Sequence, residues 1–179
     1  NNPAKINENV INCWSNILKR VKNSKLIIKC ADKRRKLDRI QKAFKKNGVL
    51  DSVIFYQRMD NLEDHLNLYK KIDIALDTFP YNGVTTSFEA VWMGVPVLTM
   101  AGYNFNSRCG ESINKNLNME QLIAKDEEDY IQKVINLANN HESYTNLRKS
   151  IFLNAPTSPL FNSQDYSKSF FEALEEIVK

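Results

Sequence analysis

The stretch Asp77-Thr78-Phe79-Pro80-Tyr81-Asn82-Gly83-Val84-Thr85-Thr86-Ser87-Phe88-Glu89 holds the residues of this chain best suited to binding chemistry. It is polar and rich in turn formers, and it leads into the helical pattern Glu89-Ala90-Val91-Trp92-Met93. The start of a helix offers backbone N–H groups without intrahelical acceptors and the positive end of the helix dipole, which together suit an anion, above all a phosphate. On that reading the amides of Val84, Thr85 and Thr86 hold a diphosphate and Glu89 reaches a sugar hydroxyl. A purely structural reading stands beside it. Thr85 and Thr86 sit where an N-cap belongs, and Thr86-Ser87-Phe88-Glu89 matches the S/T-x-x-E capping box, in which Glu89 only bonds back to the Thr86 backbone. Gly83 allows close approach of a ligand to the backbone, although Asn82-Gly83 is also an ordinary turn.

Few other residues invite a chemical role. His65 stands at the edge of a Leu62, Leu66, Tyr69 stripe, where a histidine is more often a semi-buried helix residue than a ligand contact. Lys5 precedes the first helix, a position where a lysine is ordinarily solvated. Arg108 follows the fourth strand and faces either the same crevice as the loop or a solvent ion pair. No Ser-His-Asp order, paired-carboxylate spacing or metal cluster stands out. G-x-G-x-x-G and G-x-x-x-x-G-K-[ST] are both absent, which disfavours a dinucleotide oxidoreductase and a P-loop phosphotransferase.

The elements that position these residues alternate between strand and helix. Lys25–Cys30, Val53–Tyr56, Ile74–Asp77, Val95–Met100 and Leu122–Ala124 read as short apolar strands. Helical spacing links Val10, Ile11, Trp14, Ile17 and Val21, then Leu37, Ile40 and Phe44 in a basic helix ending near Asn47-Gly48. Further helices run from Asp126 through Leu137 and from near Glu142. A final one carries Tyr166, Phe170, Leu174 and Ile177 on one stripe. The alternation predicts an α/β, Rossmann-like, mainly parallel sheet with helices on both faces, plus C-terminal helices. A ligand then belongs at the carboxyl ends of the strands, where the loop after Ile74–Asp77 lies.

With 179 residues, the chain suits one domain over 1–179, with a C-terminal helical segment at about 142–179. It begins at Asn1 without an initiator Met and reads as a piece of a longer protein. No apolar run approaches the ~20 residues of a membrane span. Cys13, Cys30 and Cys109 are far apart and include no C-x-x-C pair, which fits a reducing, cytoplasmic setting. Between Lys19 and Lys46 there are 13 Lys/Arg against Asp32 and Asp38 alone. This block is either a solvated basic face or a nucleic-acid contact through Lys33, Arg34, Arg35, Lys36, Arg39 and Lys42. The aromatic interleaving of a single-strand binder is missing, so a nucleic-acid partner is disfavoured.

Asp77-x-Phe79-Pro80-Tyr81-Asn82-Gly83-x-Thr85-Thr86 followed by Trp92-Met93-Gly94-Val95-Pro96 resembles the protein O-linked N-acetylglucosamine transferases, glycosyltransferase family 41, including their SPINDLY-like branch. The likeness continues through Trp14, Lys19-Arg20-Val21, Gly102, Ser107-Arg108, Leu122-Ile123-Ala124 and Ser158-Pro159-Leu160-Phe161. It implies the C-terminal, nucleotide-sugar-binding lobe of a GT-B enzyme. The N-terminal catalytic lobe and tetratricopeptide repeats lie outside this sequence. The implied reaction is inverting transfer of a sugar, GlcNAc from UDP-GlcNAc, to a protein hydroxyl without cofactor or metal. By resemblance, Asn2 and Lys5 contact the donor diphosphate, with Lys5 stabilising the leaving group. His65 lies beside the base, Val84, Thr85 and Thr86 form the phosphate turn, and Glu89 binds the ribose. Val84 departs from the pattern by lacking a polar side chain, and Glu89 by being one methylene longer than the family's Asp. Leu62 and Leu68 stand where animal enzymes carry basic donor contacts, so the donor stays open between UDP-GlcNAc and another UDP- or GDP-sugar. The C-terminal helix of GT-B enzymes commonly crosses onto the other lobe. Part of the Tyr166, Phe170, Leu174, Ile177 stripe is therefore expected to be under-buried here.

Overall fold

The computed structural model describes residues 2–30, 34–57 and 59–178, and only the backbone of 30 and 34–36. Five strands and eight α-helices are described: α1 (Glu8–Arg20), β1 (Leu26–Cys30), α2 (Arg34–Lys46), β2 (Val53–Gln57), α3 (Leu62–Tyr69), β3 (Ala75–Leu76), α4 (Thr85–Trp92), β4 (Val97–Met100), α5 (Cys109–Asn116), β5 (Ile123–Ala124), α6 (Glu127–Asn139), α7 (His141–Asn154) and α8 (Ser163–Val178). Every ladder is parallel, so the fold is the expected Rossmann-like α/β arrangement. Among the described residues the strands make two ladders, β1–β2 and β3–β4–β5, rather than one continuous sheet. In register, Leu26 faces Val53 and Ala75 faces Val97. Asp77 carries the β3 trace past its two ladder residues by donating its N–H to Leu98 O at 2.9 Å.

Local chemistry sets the helix boundaries. Asn7 Oδ1 accepts the Val10 N–H at 2.9 Å and opens α1, which buries Val10, Ile11, Trp14 and Ile17 one turn apart. Asp126 caps α6 in the same way, with Glu127, Glu128 and Asp129 in the first turn where the dipole favours them. Apolar β4 residues Val97 and Leu98 lie at the centre of the core with Phe79, Val91, Leu122 and Tyr130.

Three points differ from the expectations or add to them. Leu62 does not pack inward; it opens α3 and is 68% exposed, while Leu68 is buried. The inward face of α3 is therefore His65–Leu68–Tyr69, because the Asn61 cap starts the helix at Leu62 and fixes its phase. Second, the segment after Arg108 is a helix, α5. Its Ile113 and Leu117 are buried at i,i+4 spacing, and Glu111 pairs with Lys115 at 2.7 Å. Third, the Thr86–Glu89 capping box does not form, as described below.

The basic block is spread over α1, β1 and α2. Lys33 and the side chains of Arg34, Arg35 and Lys36 lie outside the described residues. Arg39 donates to Ile6 O at 2.5 Å, while Ile40 and Phe44 from the same helix are fully buried. Helix α8 buries none of its residues, and Tyr166, Phe170, Leu174 and Ile177 are all exposed, as expected for that stripe. No helix among the described residues is long and apolar enough to cross a membrane.

Candidate functional site

The loop from Asp77 to Val84 is held by a buried carboxylate. Asp77, only 2% exposed, accepts the Thr78 N–H at 2.9 Å and the Gly83 N–H at 2.6 Å on Oδ1. Its Oδ2 accepts the Thr99 hydroxyl at 2.9 Å, and its own carbonyl accepts the Tyr130 hydroxyl at 2.9 Å. One carboxylate thus closes both ends of a seven-residue turn onto β4. Asn82 adds a second clamp. Its Nδ2 donates to Thr78 O at 3.0 Å, its Oδ1 accepts the Gly110 N–H at 3.2 Å, and its N–H donates to Asn106 O at 2.9 Å. Asn7 Nδ2 reaches Phe79 O at 2.7 Å. The loop that carries the candidate anion site is therefore pre-set by hydrogen bonds within the protein, which lowers the ordering cost of binding.

Gly110 belongs to this packing. A Cβ there would lie 2.1 Å from Thr99 Oγ1 and 2.8 Å from Asp77 Oδ2. Alanine normally favours a helix over glycine by about 1 kcal/mol, but the collision reverses the sign. We expect Gly110→Ala to cost about 1–3 kcal/mol in denaturant unfolding. A variant as stable as wild type would show that the contact around Asp77 yields freely.

The loop delivers the chain to α4. Val84 is the N-cap, with no side-chain cap among the described residues. Thr85 and Thr86 are the first two helical residues, so the helix starts two positions earlier than a Thr86–Glu89 capping box requires. Glu89 Oε2 instead takes hydrogen bonds from His65 and Tyr69 on α3. The Ser87 and Phe88 N–H groups bond to Val84 O, and the positive dipole end of the helix at this turn favours an anion. Val84 is 44% exposed despite its apolar side chain.

Lys5 comes to the same loop from the other end of the chain. It sits in the short helical turn Pro3–Lys5, and its Nζ donates to Asn82 O at 2.7 Å and lies 4.1 Å from the centroid of the Tyr81 ring. Burial lowers its pKa below the ordinary lysine value, with the Asp77 and Cys109 charges opposing. Asn2 uses its side chain to accept the Ala4 N–H at 2.9 Å and is exposed. Arg108 turns away to Glu111, with Nε–Oε2 at 2.8 Å, the ion-pair alternative left open by the sequence.

The second cluster joins α3 to α4. His65 Nε2 lies 2.8 Å from Glu89 Oε2, and Tyr69 donates its hydroxyl toward the same oxygen at 3.0 Å. Lys29 Nζ meets His65 Nδ1. Lys29 can only donate, so Nδ1 accepts and the imidazole proton sits on Nε2, aimed at Glu89. A cavity of about 700 Å³ opens here, its wall including Ile28, Lys29, His65, Tyr69, Asp77 and Thr86. That volume is in the range of small-molecule sites. Lys5, Val84 and Glu89 are not part of its wall. Among the described residues, no hydrogen bond joins Lys5 to the His65–Glu89 pair. Asp77 and Tyr69 belong to the candidate site by their hydrogen bonds, and the sequence names them only as a motif position and a packing residue. Asp77 was within reach, as a carboxylate at the end of an otherwise apolar strand.

The family model for glycosyl transferase family 41 matches residues 1–170. The chain is 36% identical over 176 residues to a tomato (Solanum lycopersicum) protein named probable UDP-N-acetylglucosamine–peptide N-acetylglucosaminyltransferase SPINDLY, covering 94% of this chain and 18% of that protein. It is 33% identical to the Arabidopsis thaliana SPINDLY protein, covering 100% of this chain and 20% of the relative. The chain thus spans about a fifth of the length of these curated relatives. A solved structure of the Thermobaculum terrenum O-GlcNAc transferase, a K341M mutant, superposes with a TM-score of 0.86 at 26% identity, covering 93% of this chain and 32% of that one. The matched span includes the loop, the α4 start and both clusters, and this chain belongs to glycosyl transferase family 41.

Proposed function

We propose that this chain is the donor-binding lobe of an inverting, metal-independent glycosyltransferase. The enzyme transfers a sugar, GlcNAc from UDP-GlcNAc, to serine or threonine hydroxyls of a protein. Residues 1–179 form one lobe. A second, catalytic lobe and tetratricopeptide repeats lie elsewhere in the whole protein, which works in the reducing cytoplasm. The relatives' printed names supply the donor and the peptide acceptor. The observation that carries the reading is the seating of Lys5 Nζ on Asn82 O at 2.7 Å, on the loop that runs into the uncapped start of α4. A cation and a helix dipole then meet at one place, the combination that neutralises a departing nucleoside diphosphate.

In this arrangement the pyrophosphate lies on the Val84–Thr86 turn with Lys5 beside it and Asn2 at the rim. Gly83 gives the backbone room. His65 flanks the base and Glu89 accepts a ribose hydroxyl. The acceptor hydroxyl and its base belong to the other lobe, so the isolated chain binds nucleotide and does not turn over substrate. Calorimetry with UDP and with GDP tests this. We expect saturable, weak binding of at least one nucleotide, and the preferred one identifies the donor class. Absence of binding of both at millimolar concentration, or robust glycosyl transfer by the isolated chain, would overturn the reading.

A further inference from the structure

We propose that Tyr69 is a positioning residue for ribose recognition: its hydroxyl fixes the Glu89 carboxylate against the first turn of α4 and thereby sets discrimination between ribose and deoxyribose nucleotides. The inference rests on the reading that a nucleoside diphosphate occupies this site.

The geometry carries it. Tyr69 lies at the end of α3, one turn after His65, with the two rings edge to face at 5.7 Å between centroids. Its hydroxyl is 3.0 Å from Glu89 Oε2 and 3.2 Å from Thr86 O. The same oxygen of Glu89 also receives His65 Nε2 at 2.8 Å. Both protein donors therefore converge on Oε2. Among the described residues Oε1 has no hydrogen bond, and it is the carboxylate oxygen left to accept from a ligand. Glutamate has one more rotatable bond than aspartate, and two donors on one oxygen remove that freedom before the ligand arrives. Burial and the nearby Glu89 carboxylate push the Tyr69 phenol far up, which keeps it a neutral donor. The contact with Thr86 O links this carboxylate to the turn proposed to hold phosphate, so the ribose and phosphate subsites share one strut.

The test compares UDP, 2′-deoxyUDP, 3′-deoxyUDP and inorganic pyrophosphate on wild type, Tyr69→Phe, Glu89→Ala and the double variant. The phenylalanine ring preserves the edge contact with His65, and circular dichroism checks the fold. We expect wild type to favour UDP over at least one deoxy analogue. Tyr69→Phe should shrink that preference about tenfold while pyrophosphate affinity holds. In the Glu89→Ala background, Tyr69→Phe should change the preference no further, since the effect runs through that carboxylate. A purely structural role would weaken all four ligands alike, and that result overturns the proposal, as does an unchanged UDP preference in Tyr69→Phe. Failure of wild type to bind either UDP or GDP overturns the underlying site reading along with it; where GDP alone binds, the same comparison is made with GDP and its deoxy analogues. Wild-type binding without ribose discrimination removes the role of Glu89, and Tyr69 with it.

Discussion

Lys5→Ala in the complete enzyme is expected to lower turnover about 10²–10³-fold with a much smaller change in KM. The reason is where the charge appears. As the glycosidic bond to the donor breaks, a further negative charge develops on the leaving β-phosphate oxygen of the diphosphate, and a fixed cation stabilises that state more than the bound ground state. Lys5 is held for this task by Asn82 O at 2.7 Å and the Tyr81 ring at 4.1 Å. Its pKa falls below the ordinary lysine value because burial disfavours the charge, and the Asp77 carboxylate pulls the other way. Steady-state kinetics with a donor sugar and a peptide acceptor measure the effect, and thermal unfolding of the same variant separates it from misfolding. An unchanged kcat would remove Lys5 from the mechanism.

Asp77→Ala is expected to be the most destabilising single change near the site, at about 3–5 kcal/mol, because each buried donor left without an acceptor costs about 1–3 kcal/mol. It strands the Thr78 N–H, the Gly83 N–H and the Thr99 hydroxyl. Thr78 and Thr99 are both fully buried, so water cannot replace the lost acceptor without opening the fold. For a chain of this size the loss corresponds to a drop in Tm of about 6–20 °C. Asp77→Asn keeps an acceptor for the two amides and can donate its NH₂ to the Thr99 oxygen, so it should cost less. Differential scanning calorimetry of the two variants checks both size and order. Equal stability of Asp77→Ala and wild type would mean that the turn does not depend on its carboxylate.

Much of this architecture is legible in the sequence, and the reasons are specific. The strands show because parallel strands buried on both faces are short apolar runs between turn residues, as in Val97-Leu98-Thr99-Met100. The α4 start shows because an Asn-Gly turn feeds hydroxyl residues directly after a strand. The capping box misleads because its residue spacing does not fix the helix start, which lies two residues earlier, and only tertiary partners decide where Glu89 points. Those partners, His65 and Tyr69, sit 24 and 20 residues away. Helix α5 is hidden by its polar composition and by Gly110, whose presence reflects the close approach of Thr99 and Asp77 rather than any local turn. Leu62 misleads for the opposite reason: it has the right type and spacing for a stripe, but the cap places it at the exposed lip of α3. The split of the strands into two ladders has no signature in residue type at all.

The α8 stripe follows from apolar spacing alone, and its exposure is what the fold adds. Among the described residues, the rings that Phe170 meets are those of its own helix neighbours Tyr166 and Phe171. In contrast, Trp92 and Phe88 on α4 both pack against Phe161, fastening the back of the candidate anion site to the segment after α7.

The central claim is that a nucleoside diphosphate lies across the α4 start, between Lys5 and the His65–Glu89 pair. Amide-resolved NMR titration of the chain with UDP and with GDP tests it most directly. The claim predicts that the largest shifts fall on Gly83, Val84, Thr85 and Thr86, followed by His65 and Glu89, with the first group also responding to inorganic pyrophosphate. Saturable shifts confined to α2 or to α8, with the Gly83–Thr86 amides unmoved, would contradict it.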